Sequence, residues 1–169
     1  MTAAVLLTGR PGVGKTTLIQ KVVARLPGRA GGFYTRELRQ DGARVGFELV
    51  TLAGEHGVLA HVGKAGGPRI GKYGVDLGVM DRLGVPVLRR AAERGDLVVV
   101  DEIGPMELLS PAFVATVREL LTGPYRLLGS ITARPHPVAD ELKKLPGVRL
   151  LEVTHANRDR LADEILAVT

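Results

Sequence analysis

Hydrophobic and polar positions along this chain follow two periods. Residues 4–8, AVLLT, form a short apolar run, and Leu18, Ile19, Val22, Val23 and Leu26 then recur at the spacing of one helical face. Pro27-Gly28 closes that helix. From Gly31 to about Val62 the period falls to two, in GFYTRELRQDGARVGFELVTL and VLAHV. Asp41-Gly42 suits a tight hairpin turn, and AGEHG a second turn. The chain therefore opens as strand, loop and helix and continues into an antiparallel insert.

Beyond the insert, GKAGGPRIGKYGVDLG (63–78) carries glycines at 63, 66, 67, 71, 74 and 78, which predicts a mobile surface loop with no regular element. Helix and strand then alternate. GVPVLRRAAERG (84–95) reads as a helix and LVVVDE (97–102) as a buried strand. SPAFVATVRELL (110–121) reads as a helix capped by Ser110 with Pro111 in its first turn, and YRLLGSIT (125–132) as a strand. HPVADELKKL, VRLLEVT and ANRDRLADEILAV complete the series as helix, strand and helix. This alternation predicts an α/β fold: a mostly parallel sheet with helices on both faces, in one domain over 1–169, interrupted by the β-rich insert and glycine-rich loop at about 31–78.

Composition narrows the chemistry. The 169 residues contain no cysteine, which excludes disulfides, thiolate metal sites and cysteine nucleophiles. No stretch approaches the length of a membrane span, and AAVLLT after Met1 lacks the cationic start of a signal peptide, so a cytoplasmic location without membrane partners is expected. The net charge of +5 would suit a polyanion, but Lys and Arg are scattered and aromatic residues make up only 4% of the chain. That argues against nucleic acid as a partner. The histidines at 56, 61, 136 and 155 show no metal spacing. Oligomeric state has no signature here.

The first loop carries the strongest motif. Gly9, Arg10, Pro11, Gly12, Val13, Gly14, Lys15 and Thr16 satisfy GxxxxGK[ST] between a strand and a helix, with Thr17 following. Bare glycines let backbone amides approach phosphate oxygens, and the helix start turns its positive dipole end toward them. Lys15 would reach the β- and γ-phosphates, and Thr16 would place its hydroxyl on Mg²⁺. Asp101, at the end of the apolar run LVVV, is the matching Walker B acid and second metal ligand. Glu102 follows it and is the candidate base: in P-loop proteins with an extra strand between the two Walker strands, a glutamate here orients and deprotonates the attacking water. Gly104 completes DEIG, a weak match to the DxxG of GTP-binding switches, but no guanine-reading NKxD is present and Asn157 stands one residue out of register. Cationic or polar help for the γ-phosphate could come from Lys64, Arg69, Lys72, Thr132 or Arg134.

Four segments, TGRPGVGKTTL (8–18), GGFYTRELRQDGARVGFELV (31–50), IGKYGVDL (70–77) and VVVDEIGPMEL (98–108), resemble the small nucleoside-triphosphatase family first known from heat-loving microbes, whose vertebrate relative is the cancer-related nucleoside-triphosphatase. The arginine-bearing hairpin and the GKYGV segment are its more telling parts, because a P-loop is widely shared. The resemblance implies a RecA-like fold and slow, Mg²⁺-dependent hydrolysis of ATP, GTP, CTP and UTP to diphosphates. Two alternatives stand beside it: a nucleotide or small-molecule kinase passing the phosphoryl group to an acceptor held by the insert, and a nucleotide-dependent nucleic-acid-binding switch.

Overall fold

The computed structural model describes residues 4–169. The apolar run Ala4–Thr8 is strand β1, and the helix behind the glycine loop is α1, Lys15–Ala24. β2 (Ala30–Gln40) and β3 (Ala43–Thr51) form the hairpin about Asp41-Gly42, both residues with positive φ, and β4 (His56–His61) follows the second turn. Later come β7 (Leu97–Ile103), α4 (Pro111–Thr122), β8 (Leu127–Ile131), α5 (Pro137–Lys143), β9 (Val148–Glu152) and α6 (Arg158–Val168). Ser110 caps α4 as expected, its hydroxyl accepting from the Phe113 amide at 3.1 Å. His136 caps α5 through Nδ1, which gives that histidine a structural task.

Two stretches depart from the sequence expectation. The glycine-rich segment contains short strands β5 (Arg69–Ile70) and β6 (Tyr73–Val75), and β6 pairs with β4. Close approach explains one of its glycines, since a Cβ on Gly74 would lie 2.5 Å from the Lys64 carbonyl oxygen. The helix expected from residue 84 begins earlier, with α2 (Leu77–Val79) capped by Asp76, and passes through a π turn at Met80–Gly84 into α3 (Val85–Glu93). The wide turn breaks the 3.6-residue period, and Gly78 and Gly84 imitate helix breakers. A side chain on Gly84 would meet the Met80 sulfur at 2.5 Å, so that glycine serves packing.

The strands of the described residues join one nine-stranded sheet in the order β5-β6-β4-β3-β2-β7-β8-β1-β9. The stretch from β2 to β9 is parallel throughout, and the insert continues it antiparallel. Alternate side chains of the parallel strands feed two cores. Val5, Leu7, Val99 and Leu128 pack with α1 and α6 through Leu18, Ile19, Leu161 and Ile165. Leu6, Phe33, Val98 and Val100 pack on the opposite face with α3, α4 and α5 through Leu88, Phe113 and Leu142. Helices on both faces bury the central parallel strands β1, β7 and β8 twice over, which is why these three read as apolar runs. β8 lies between β1 and β7, so the strand behind the glycine loop and the strand ending in Asp101 are separated by one strand.

β2 approaches β7 so closely that Gly32 has no room for a side chain: φ is +132° and a Cβ would lie 1.9 Å from the Val99 carbonyl oxygen. Gly54 has positive φ as well but nothing within 4 Å of its Cβ position. Gly32→Ala should therefore cost about 3 kcal/mol or more, and Gly54→Ala about 1 kcal/mol from backbone strain alone. Urea midpoints of the two variants check the contrast, and equal losses would mean that strain without the clash accounts for both.

Candidate functional site

The parallel strands bring their carboxyl ends to one edge, where the glycine loop and the two acids meet. Gly9, Gly12 and Gly14 have φ of 150°, 78° and 111°, a backbone path that L side chains rarely adopt. A Cβ on Gly9 would also stand 2.7 Å from the Val153 carbonyl oxygen. Val13 turns into the core and anchors the loop, while Arg10, Pro11 and Gly12 are exposed. Lys15 folds back across the loop and donates to the Gly9 carbonyl at 2.6 Å. Thr16 and Thr17 lie exposed on the first turn of α1. Arg158, from the start of α6, donates to the Val13 carbonyl at 3.2 Å and so braces the loop from the far side.

Asp101 ties this loop to the sheet. Its Oδ2 accepts from the Thr16 hydroxyl at 2.6 Å and its Oδ1 from the Ser130 hydroxyl at 2.5 Å. The residue is only 4% exposed. Burial pushes its carboxyl above the usual range, and the Ser130 and Thr16 hydroxyls and the Lys15 ammonium pull it back. Glu102 is likewise pushed up, first by burial and then by the Asp101 charge, with Lys15 opposing. Tyr34 on β2 pairs in register with Asp101, and its phenol is raised by burial and by that same carboxylate.

Gly104 lies against a third acid. A methyl on it would stand 2.9 Å from Glu102 Oε1 and 3.0 Å from Glu107 Oε2, so its bare Cα admits both carboxyls. Glu107 is 5% exposed and pushed up to about 8, chiefly by burial and then by the Glu102 charge.

The sequence-predicted residues divide in two. Gly9 to Thr17, Asp101, Glu102 and Gly104 converge. Thr132 closes on the same edge, its amide donating to the Ile103 carbonyl at 3.1 Å, and exposed Arg134 follows two residues on, without an ion pair among the described residues. Lys64, Arg69 and Lys72 are not brought to the loop. The Arg69 guanidinium is engaged by the carbonyls of Lys64 and Lys72 at 3.1 and 2.7 Å, in the hairpin that forms the opposite end of the sheet from β1. Ser130, Glu107 and Arg158 were not singled out in the sequence. The first two had a signal: one small hydroxyl inside apolar LLGSI and one acid inside apolar IGPMELL.

A hydroxyl and a carboxylate oxygen 2.6 Å apart suit a hard divalent cation such as Mg²⁺, which takes one or two protein oxygens and completes its shell with water and phosphate. Among the described residues no group of three or more His, Cys, Asp or Glu could hold a metal ion. No helix there is long and apolar enough to cross a membrane.

The NTPase family model matches residues 4–166. The nucleoside-triphosphatase THEP1 of Thermotoga sp. (strain RQ2) is 44% identical over 164 residues, covering 97% of this chain and 94% of the relative. The cancer-related nucleoside-triphosphatase homolog of Mus musculus is 41% identical over 184 residues, covering 99% and 97%. The crystal structure of THEP1 from Aquifex aeolicus superposes with a TM-score of 0.88 at 37% identity, covering 98% of each chain. The solution structure of a human cancer-related nucleoside triphosphatase gives 0.81 at 41% identity, covering 98% of this chain and 96% of the other.

Ser130→Ala should destabilise the fold by about 1.5–3 kcal/mol at pH 7, the usual worth of a hydrogen bond to a charged group. The lost donor penalises only ionised Asp101, so the loss should shrink as acid protonates that carboxyl. Urea unfolding at neutral and acid pH measures this, and a loss independent of pH would assign the effect to packing.

Proposed function

The chain belongs to the NTPase family and is a nucleoside triphosphatase, and from that premise we propose a Mg²⁺-dependent enzyme that cleaves the γ-phosphate of ATP, GTP, CTP and UTP with little regard for the base. One observation carries the reading: Glu102 follows Asp101 on β7, and the Asp101 carboxylate is clasped to the P-loop threonine at 2.6 Å, so a proton acceptor and a phosphate cradle share one edge.

In the proposed reaction the amides of residues 9–16 and the N-terminus of α1 stabilise the phosphate oxygens. Lys15 gives its ammonium to the same charge. Thr16 and Asp101 would hold Mg²⁺, which when bound neutralises charge on the β- and γ-oxygens. Water attacks the γ-phosphorus as the bond to the β-bridging oxygen breaks, and Glu102 takes the proton that the water loses. A carboxyl raised above its usual range is a stronger base once ionised, which suits Glu102 to that task near neutral pH. Thr132 and Arg134 are the groups we assign to the γ-phosphate, since they stand on the same edge.

Loose base selectivity is supported by the loop before α6. Asn157 is spent on that loop, its Oδ1 accepting from the Thr154 amide and its Nδ2 donating to the Glu152 carbonyl, both at 2.8 Å. It has little left with which to read a purine edge. Arg158 offers a planar cation beside the P-loop, and stacking on such a group tolerates any base.

Glu102→Gln keeps the shape of the side chain but cannot take a proton. Phosphate release should fall by about 10²–10⁴ while nucleotide affinity persists. Single-turnover hydrolysis beside equilibrium binding decides this; release within about threefold of wild type would remove Glu102 as the base.

Across ATP, GTP, CTP and UTP, kcat/KM should vary by less than about a hundredfold, or 2.7 kcal/mol, and chelating Mg²⁺ should abolish release. A wider spread would require a dedicated base pocket. Retained release under chelation would remove the cation from the mechanism.

A further inference from the structure

Three acids are buried among the described residues: Glu48, Asp101 and Glu107. Glu48 meets Arg36 at 2.8 Å and His56 at 2.6 Å. Asp101 has its two hydroxyls. Glu107 has neither. The charges that bear on it are those of Glu102 and Asp101, both negative and both from β7, relieved only by the backbone amides of Gly104 and Glu107 itself. An acid so placed is disfavoured as an anion, because burial and like charge act in the same direction. It is held there by the 3-10 turn at Glu107–Leu109, where the Leu108 amide bonds to the Gly104 carbonyl at 2.9 Å. That turn folds the chain back so that Glu107 faces the glutamate five positions earlier across a residue with no side chain.

We propose that Glu107 positions Glu102: from across Gly104 it presents a carboxyl hydroxyl as donor to the Glu102 carboxylate, fixing one oxygen so that the other faces the attacking water. The inference rests on the hydrolytic reading of Glu102 and adds to it what aims the base. Two features follow from the chemistry. A neutral Glu107 keeps a third negative charge away from the triphosphate, beside which Asp101 and Glu102 already stand. It also gives Glu102 a donor where, among the described residues, no Arg, Lys or hydroxyl hydrogen-bonds to it, Lys15 acting on it only through its charge. Glutamine, which has the length and the donor of the neutral acid, should replace Glu107; alanine should not.

The test compares wild type, Glu107→Gln and Glu107→Ala from about pH 5 to 9, reading phosphate release, nucleotide affinity and thermal midpoint. Glu107→Ala should lower kcat about tenfold or more with affinity within about threefold, and Glu107→Gln should recover most of that loss. Wild-type kcat should fall above about pH 8 as Glu107 ionises, and the glutamine variant should lack that limb. The thermal midpoint follows the same proton. Below the usual carboxyl range native and unfolded chains both hold it; from there to about 8 only the native chain does, so this carboxyl costs wild type stability as pH rises and Glu107→Gln is spared that loss. The midpoint difference should widen in favour of glutamine across that window. A glutamine variant as slow as the alanine one, an alanine variant within threefold of wild type, or a midpoint difference that does not widen would each overturn the proposal. Glu102→Gln run alongside separates the failures: undiminished release there removes the base itself, whereas loss there with an unaffected Glu107→Ala removes only the positioning role.

Discussion

The hydrogen bond from the Thr16 hydroxyl to Asp101 is the contact on which the rest of the site depends. It joins the first turn of α1 to the end of β7 across the intervening strand β8, and β8 contributes its own hydroxyl, Ser130, to the other carboxylate oxygen. Three elements distant in sequence are thus registered on one side chain. The same two hydroxyls offset part of the cost of holding a carboxylate in a dry place. Without them the loop and the acids would be parts of separate elements with no fixed spacing.

Much of this was legible in the sequence because it rests on local patterns. The apolar runs 4–8 and 97–100, the helical face from Leu18 to Leu26 and the Asp41-Gly42 turn each depend on neighbours in the chain, and each appears in the structure where the pattern put it. The P-loop, Asp101 and Glu102 belong to that class. What stayed hidden depends on tertiary approach. Glycines 63–78 look like flexible chain, yet Gly74 is there because Lys64 passes over it. The π turn at Met80–Gly84 disguises a helix start, and Ser130 and Glu107 acquire meaning only once β8 and the turn after β7 lie against Asp101 and Glu102.

Charge is distributed in a way that the net value conceals. The chain carries +5 overall, but the edge at the end of β7 gathers Asp101, Glu102 and Glu107, with the Lys15 ammonium bearing on the first two. Several arginines are engaged elsewhere: Arg36 with Glu48, Arg44 and Arg39 with Glu37, Arg89 with Glu119 and Arg118 with Glu141. The net positive charge therefore lies mostly with cations outside those pairs. It is a background field against which a cluster of carboxyls can stand beside an anionic substrate at lower cost.

The continuity of the sheet from insert to β9 also sets how its backbone opens. β7 and β8 each have a strand on both sides and a helical layer above and below, so the amides of their paired residues are expected to exchange last. β9, an edge strand with Leu150 and Glu152 exposed, and the two-residue β5 at the other margin can fray alone. Asp101 continues that stretch, paired with Tyr34 of β2, and Glu102 follows where the β7–β8 register shifts between Val100 and Ile103, so the acids are carried at the end of the central backbone and away from the margins that fray.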